Sequence, residues 1–152
     1  LPQTKFMVVP QGASSEEWQE CLQNLAKLKY SFKYWSVPKV SHLVFGGTRL
    51  KQCKEILNLV PDAKIHLLGV WSNPIEEVLE VRGLPQVISI DSKLPVSLGL
   101  LGRALSEPQP KPPSASYILE YDGFPTWTEK QVKRFINICE GNLTPKLRKV
   151  EY

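Results

Sequence analysis

Apolar residues recur along this chain with two alternating periods. Lys5-Phe6-Met7-Val8-Val9 is a short strand pattern, stopped by Pro10 and Gly12. From Trp18 onward the apolar positions are Cys21, Leu22, Leu25 and Leu28, which share one helix face. Ser14 and Glu17 stand ahead of that stripe with capping-box spacing, so the pattern predicts a helix over 15–29. FKYWSV (32–37) predicts a second strand, ended by Pro38, and PKVSH reads as the loop after it. Leu50, Cys53, Ile56, Leu57 and Val60 predict a second helix over about 48–60. KIHLLGV (64–70) is nearly continuous in apolar residues, as a strand covered on both faces would be. Asn73-Pro74 has the form of a helix start, Ile75, Val78 and Leu79 supply the inner face, and Gly83 supplies the stop. QVISI (86–90) predicts a fourth strand, with Asp91 immediately after it.

Strands alternating with amphipathic helices predict an α/β fold of (βα) repeats on a parallel sheet. The pattern loosens after residue 92. LPVSLGLLGRALS reads as a glycine-broken helix, and YILEY (117–121) as a short strand. Val132, Phe135, Ile136 and Cys139 form the stripe of a C-terminal helix, with Thr128 as its cap and Gly141 as its stop. The expected organisation is a repeat domain over 1–106, a proline-rich linker or extended segment over 107–116, and a strand and helix extension over 117–152.

Composition narrows this picture only modestly. A chain of 152 residues can build one sizeable core. No apolar run reaches the ~20 residues of a membrane span, so no membrane association is expected. The net charge of +4 is compatible with a nucleic-acid partner without selecting one. Cys21, Cys53 and Cys139 fall on apolar helix faces with no metal-ligand spacing. They read as small core residues in a reducing, cytoplasmic compartment, with neither metal nor cofactor expected. The sequence opens on Leu1, as a fragment, a processed product or an excised domain would.

Candidate chemistry follows from the topology. In parallel α/β folds ligands bind where the βα loops converge, at the carboxyl ends of the strands. PQGAS, PKVSH, WSN and DSK each follow a predicted strand, so Gln11, Lys39, His42, Trp71, Asn73, Asp91 and Lys93 are expected to face one mouth. Each also has a plainer reading. Gln11 and Asp91 suit turns, Asn73 suits a helix cap, Lys39 and Lys93 suit solvated charges, and Trp71 suits the core or a stacking surface. His42 is a lone loop histidine, and His66, inside the third strand, reads as a packed residue. Walker, GxSxG, HExxH and paired CxxC spacings are absent from the sequence.

The ordered string VVPQGAS (8–14) and HLLGVWSNPIEEVLEVRGLPQVISIDSKLPVS (66–97) resembles the carboxyl-terminal half of the tRNA-guanine transglycosylase barrel. That family includes phage and bacterial relatives that insert 7-deazaguanine bases into DNA. Gly69-Val70 ending a strand, Pro74 opening a helix, Arg82-Gly83 closing it, and Asp91 before the Leu94-Pro95 turn follow the family order. The resemblance implies half of a TIM (βα)8 barrel. It also implies exchange of guanine for a 7-deazaguanine base in DNA or tRNA, through a covalent aspartyl-glycosyl intermediate. Asp91 would stand at the nucleophile position, with Gln11 and Gly12 at the base edge. Leu68, Gly69 and Trp71 would lie beside the flat base, and Lys39 and Lys93 near nucleic acid. The ligands implied are nucleic acid and a free 7-deazaguanine base. A protein partner or a second copy would complete the barrel, because four βα units cannot close eight strands.

Departures from the family pattern keep other readings in play. YWSVPKV replaces a glycine pair, Ser97 replaces an arginine, and both the family's zinc ligands and its first half-barrel are missing. The alternatives are a non-catalytic binding or structural module derived from this fold, and a small open flavodoxin-type domain.

Overall fold

The computed structural model describes residues 4–28, 32–46, 49–70, 74–105 and 125–142. The chain divides into two compact units, one formed by Leu1–Gly69 with Leu84–Asp91, the other by Val70–Gly83 with Ser92–Tyr152.

The first unit carries a four-stranded parallel sheet, β1 (Met7–Val8), β2 (Tyr34–Pro38), β3 (Lys64–Leu68) and β4 (Val87–Ile90), in the order β1-β2-β3-β4. The α/β repeat expectation therefore holds. Strand order equals sequence order, whereas a flavodoxin-type sheet would place β1 inside β2. Helix α1 (Ser15–Ala26) starts as the Ser14–Glu17 spacing requires. Glu17 N–H donates to Ser14 Oγ at 3.2 Å, and Ala13 N–H donates to Glu17 Oε2 at 2.7 Å. One of the helix's orphan donors, Glu17 N–H, is thus satisfied by a side chain, and the Glu17 carboxylate ties down the residue before the cap. Trp18 and Leu22, four residues apart, are its buried positions.

Three sequence expectations change in this unit. α1 ends at Ala26 rather than 29, with Lys27 as its cap. The segment read as a loop after β2 contains a short helix, α2 (Ser41–Phe45), which includes His42. Its Phe45 ring meets Trp18 edge-on at 5.1 Å between centroids. α3 then spans Leu50–Leu59, with Cys53 and Ile56 buried. Finally, β3 is not uniformly buried. Ile65 and Leu67 are fully covered, while Lys64, His66 and Leu68 alternate with them and are half-buried. One face of β3 therefore belongs to the core and the other does not.

Register extends that division across the sheet. Trp35 pairs with Ile65 and Val37 with Leu67, and all four are buried. Tyr34, Ser36 and Pro38 pair with Lys64, His66 and Leu68 on the opposite face. Between β3 and β4 the register slips once: Ile65 pairs with Val87, but His66 pairs with Ser89. Ile88 is the extra residue of this bulge and is exposed.

The second unit contains α4 (Pro74–Val81), α5 (Leu94–Leu100) and α6 (Thr126–Cys139). Its buried side chains include Ile75, Val78, Val81, Leu94, Leu98, Leu105, Phe135 and Ile138, each stabilising by roughly 1.5–3 kcal/mol on burial. α5 and α6 approach closely because position 99 is glycine; a Cβ there would meet Thr128 Cα at 2.5 Å. Thr128 is therefore not the helix cap. α6 begins at Thr126, and Thr128 lies inside it, fully buried with its hydroxyl unpartnered. The 107–116 segment and the YILEY strand lie outside the described residues. No helix among the described residues is long and apolar enough to cross a membrane.

Candidate functional site

All four strands run the same way, so the residues following them share one sheet edge. Gln11 follows β1, Lys39 follows β2, Gly69 follows β3 and Asp91 follows β4. Gln11 and Asp91 lie at the two ends of this rim, three strand spacings or about 14 Å apart.

At the β4 end the residues converge. The strand ladder continues one step past Ile90, with Asp91 N–H donating to Leu67 O at 3.2 Å. The bulge at Ile88 then decides where the Asp91 side chain goes. With Ser89 beside His66 and Ile90 beside Leu67, Ser89 and Asp91 fall on the same face as His66. Asp91 Oδ1 accepts Gly69 N–H at 3.0 Å and lies 3.0 Å from His66 Nε2. The other ring nitrogen, His66 Nδ1, lies 2.8 Å from Ser89 Oγ. Among the described residues Oδ2 takes no hydrogen bond, and the Asp91 side chain is 60% exposed against 22% for His66. The result is an exposed carboxylate with one oxygen held by two hydrogen bonds and the other holding none among the described residues.

The backbone under this site is fixed from below. Arg49 is fully buried ahead of α3. Its Nη1 donates to Val37 O at 2.7 Å and to Leu68 O at 3.1 Å, and its Nη2 donates to Gly69 O at 2.6 Å. A planar fork of donors suits three carbonyls at the ends of two neighbouring strands. Lys39 N–H also donates to Leu68 O, at 2.8 Å. Gly69 adopts φ +68°, a conformation that L side chains rarely adopt, and this turns its N–H toward Asp91. Both main-chain polar groups of Gly69 thus serve the site itself.

The β1 end differs. Gln11 is exposed, and its main-chain N–H points to Cys21 Sγ at 3.4 Å. Gly12 is required by packing, because a Cβ there would collide with the main chain of Glu17 and Trp18 in the first turn of α1. Lys39 is exposed, and its side chain passes over Gly69. Lys93 is exposed, just ahead of α5 in the second unit. Trp71 and Asn73 lie outside the described residues, and of His42 only its place in α2 is described.

His66 is the residue that sequence reasoning missed. It was read as packed, yet it bonds to Asp91 and Ser89. The usable signal was alternation: Ile65 and Leu67 flank a polar residue in an otherwise apolar strand. Arg49 and Ser89 carried no comparable signal. Among the described residues no three His, Cys, Asp or Glu side chains come together as a metal cage. Comparison with protein-family models, with curated proteins and with solved structures finds no match to this chain.

Proposed function

We propose that this chain is the nucleophile-bearing half of a base-exchange glycosyltransferase acting on guanine in nucleic acid. One observation carries the reading: Asp91 stands at the carboxyl end of β4 on an exposed side chain, with Oδ1 bonded to Gly69 N–H and to the His66 ring and with no hydrogen bond to Oδ2 among the described residues. Asp91 Oδ2 bonds to the sugar C1′ while the C1′–N bond breaks, its electron pair leaving on the guanine, which takes a proton from water. An incoming 7-deazaguanine then gives up its ring N–H proton to the hydroxide left by that water and attacks C1′. The C1′–Oδ2 bond breaks, and its pair restores the carboxylate. The target base must leave its stack to present C1′.

In this reading the rim between Gln11 and Asp91 accommodates a bicyclic base and its sugar. The Gln11 amide reads the base edge, and Leu68 flanks the ring plane. Strand order β1-β2-β3-β4 is the succession of a (βα)8 barrel, and β1 and β4 are the outermost strands of the described sheet. The remaining strands would come from a partner chain, a second copy or another part of the gene product.

A specific observation favours the second reading, a non-catalytic module. Asp91 links the ends of β3 and β4, and Gly12 is dictated by α1 packing, so both motifs have structural work without chemistry. The two readings part in one experiment. The protein, alone and with products of neighbouring genes, is incubated with guanine-containing DNA and tRNA and labelled 7-deazaguanine. Base exchange, with a denaturation-resistant protein–nucleic acid adduct that Asp91→Asn loses, supports the enzyme. Absence of exchange and adduct across all combinations, with Asp91→Asn folding and assembling normally, selects the structural module.

A further inference from the structure

We infer that His66, its ring bonded to Asp91 at one nitrogen and to Ser89 at the other, is the positioning residue that presents Asp91 Oδ2 for attack. The inference rests on the base-exchange reading for its chemistry, but its geometry stands independently. An ionised carboxylate can only accept hydrogen bonds, so the ring nitrogen facing Asp91 Oδ1 must carry the hydrogen. That nitrogen is Nε2, 3.0 Å away. In the neutral ring Nδ1 is then an acceptor, and the hydroxyl 2.8 Å from it, Ser89 Oγ–H, is the donor. The row runs Ser89 to His66 to Asp91, each hydroxyl or N–H donating toward the carboxylate.

The main chain of His66 is anchored from the other neighbouring strand, where Ser36 Oγ–H donates to His66 O at 2.9 Å. Ser36 and Ser89 are the register partners of His66 in β2 and β4. The imidazole is thus fixed at its backbone and at both ring nitrogens. Two donors, His66 Nε2–H and Gly69 N–H, meet on Oδ1, and this selects Oδ2 as the attacking atom. They remain useful after attack. In the ester Oδ1 is the carbonyl oxygen, and as the C1′–Oδ2 bond breaks the returning negative charge spreads onto an oxygen already facing two donors. His66 therefore serves the second half-reaction as well as the first.

Four variants and one spectroscopic measurement test this. In wild type, nitrogen NMR of the imidazole should show the Nε2–H tautomer; Ser89→Ala should keep it, because the carboxylate still accepts from Nε2–H, and Asp91→Ala should turn it into a mixture. His66→Phe removes the donor and should lower exchange about 10²-fold, with the adduct persisting longer than in wild type. His66→Gln keeps an N–H at nearly the same reach and should recover exchange to within about tenfold of wild type. An Nδ1–H tautomer in wild type, or exchange by His66→Phe equal to wild type, overturns the inference. If wild type itself neither exchanges base nor forms an adduct, the base-exchange reading falls alone. The tautomer then decides the positioning claim: scrambling by Asp91→Ala upholds it, and indifference to Asp91→Ala overturns it.

Discussion

The two ends of the strand rim are built from the same kind of motif and do different things. At the β1 end, PQG folds because glycine lets α1 approach, and the Gln11 side chain remains exposed. At the β3–β4 end, Asp91, His66, Ser89 and Gly69 form one hydrogen-bonded cluster over a buried guanidinium. The first end is a packing solution with a polar side chain beside it. The second is a polar assembly in which each group sets another's orientation. A short motif at a strand end therefore says little about chemistry until its neighbours on the adjacent strand are known.

The contrast can be broken most severely at Arg49. Arg49→Met should remove about 3 kcal/mol of stability, because three carbonyls lose a buried donor, and the loss should appear in urea unfolding midpoints. If the variant is as stable as wild type, the β3–β4 end does not depend on that fork. Gly12→Ala tests the other end. Its methyl group pushes on the main chain of α1 and should cost about 1–3 kcal/mol by the same assay. A neutral result would remove the packing explanation and return Gly12 to a ligand role.

Asp91→Asn and Gln11→Ala sharpen the comparison with smaller effects. Asparagine retains an acceptor at Oδ1, so Asp91→Asn should cost about 1 kcal/mol or less while abolishing any adduct. Gln11→Ala should change stability by less than about 0.5 kcal/mol, so any loss of base exchange in that variant reports recognition.

The smallest effect concerns protons at the β1 end. The Glu16 carboxyl is held below its usual range, first by a backbone hydrogen bond and then by the hydroxyls of Ser14 and Ser15, with slight desolvation opposing. A group depressed on folding contributes stability above its unfolded pKa and loses it as pH falls through the folded value. Ser15→Ala should move the Glu16 carbon titration upward toward the ordinary value while leaving the α1 cap intact, because the cap bond belongs to Ser14. A midpoint that does not move would assign the depression to the backbone bond and Ser14.

Much of the scaffold was legible in the residues. Ser14 and Glu17 announced the start of α1, since a cap depends on groups within one turn of chain. Alternating strand and helix periods gave the parallel sheet, since crossover connections leave few other arrangements. The site was half legible. Asp91 was marked by its place after a strand and Gly69 by the family resemblance, but His66 read as packed and Arg49 carried no signal. Both owe their roles to residues 12–25 positions away. Thr128 failed as a cap because the helix starts two residues earlier, at Thr126, which the local pattern did not separate from it.

Hydrophobic period and turn chemistry are local properties, so the residues alone set where strands and helices alternate and that their loops gather at one edge. Which face of the sheet carries Asp91 follows instead from how the strands pair. Strict alternation from Val87 would send Ser89 and Asp91 to the covered face with Ile65 and Leu67. One extra residue, Ile88, reverses that parity and lays both beside His66. Parity in a strand is counted against its neighbour, so a property of one strand's sequence could not reveal it.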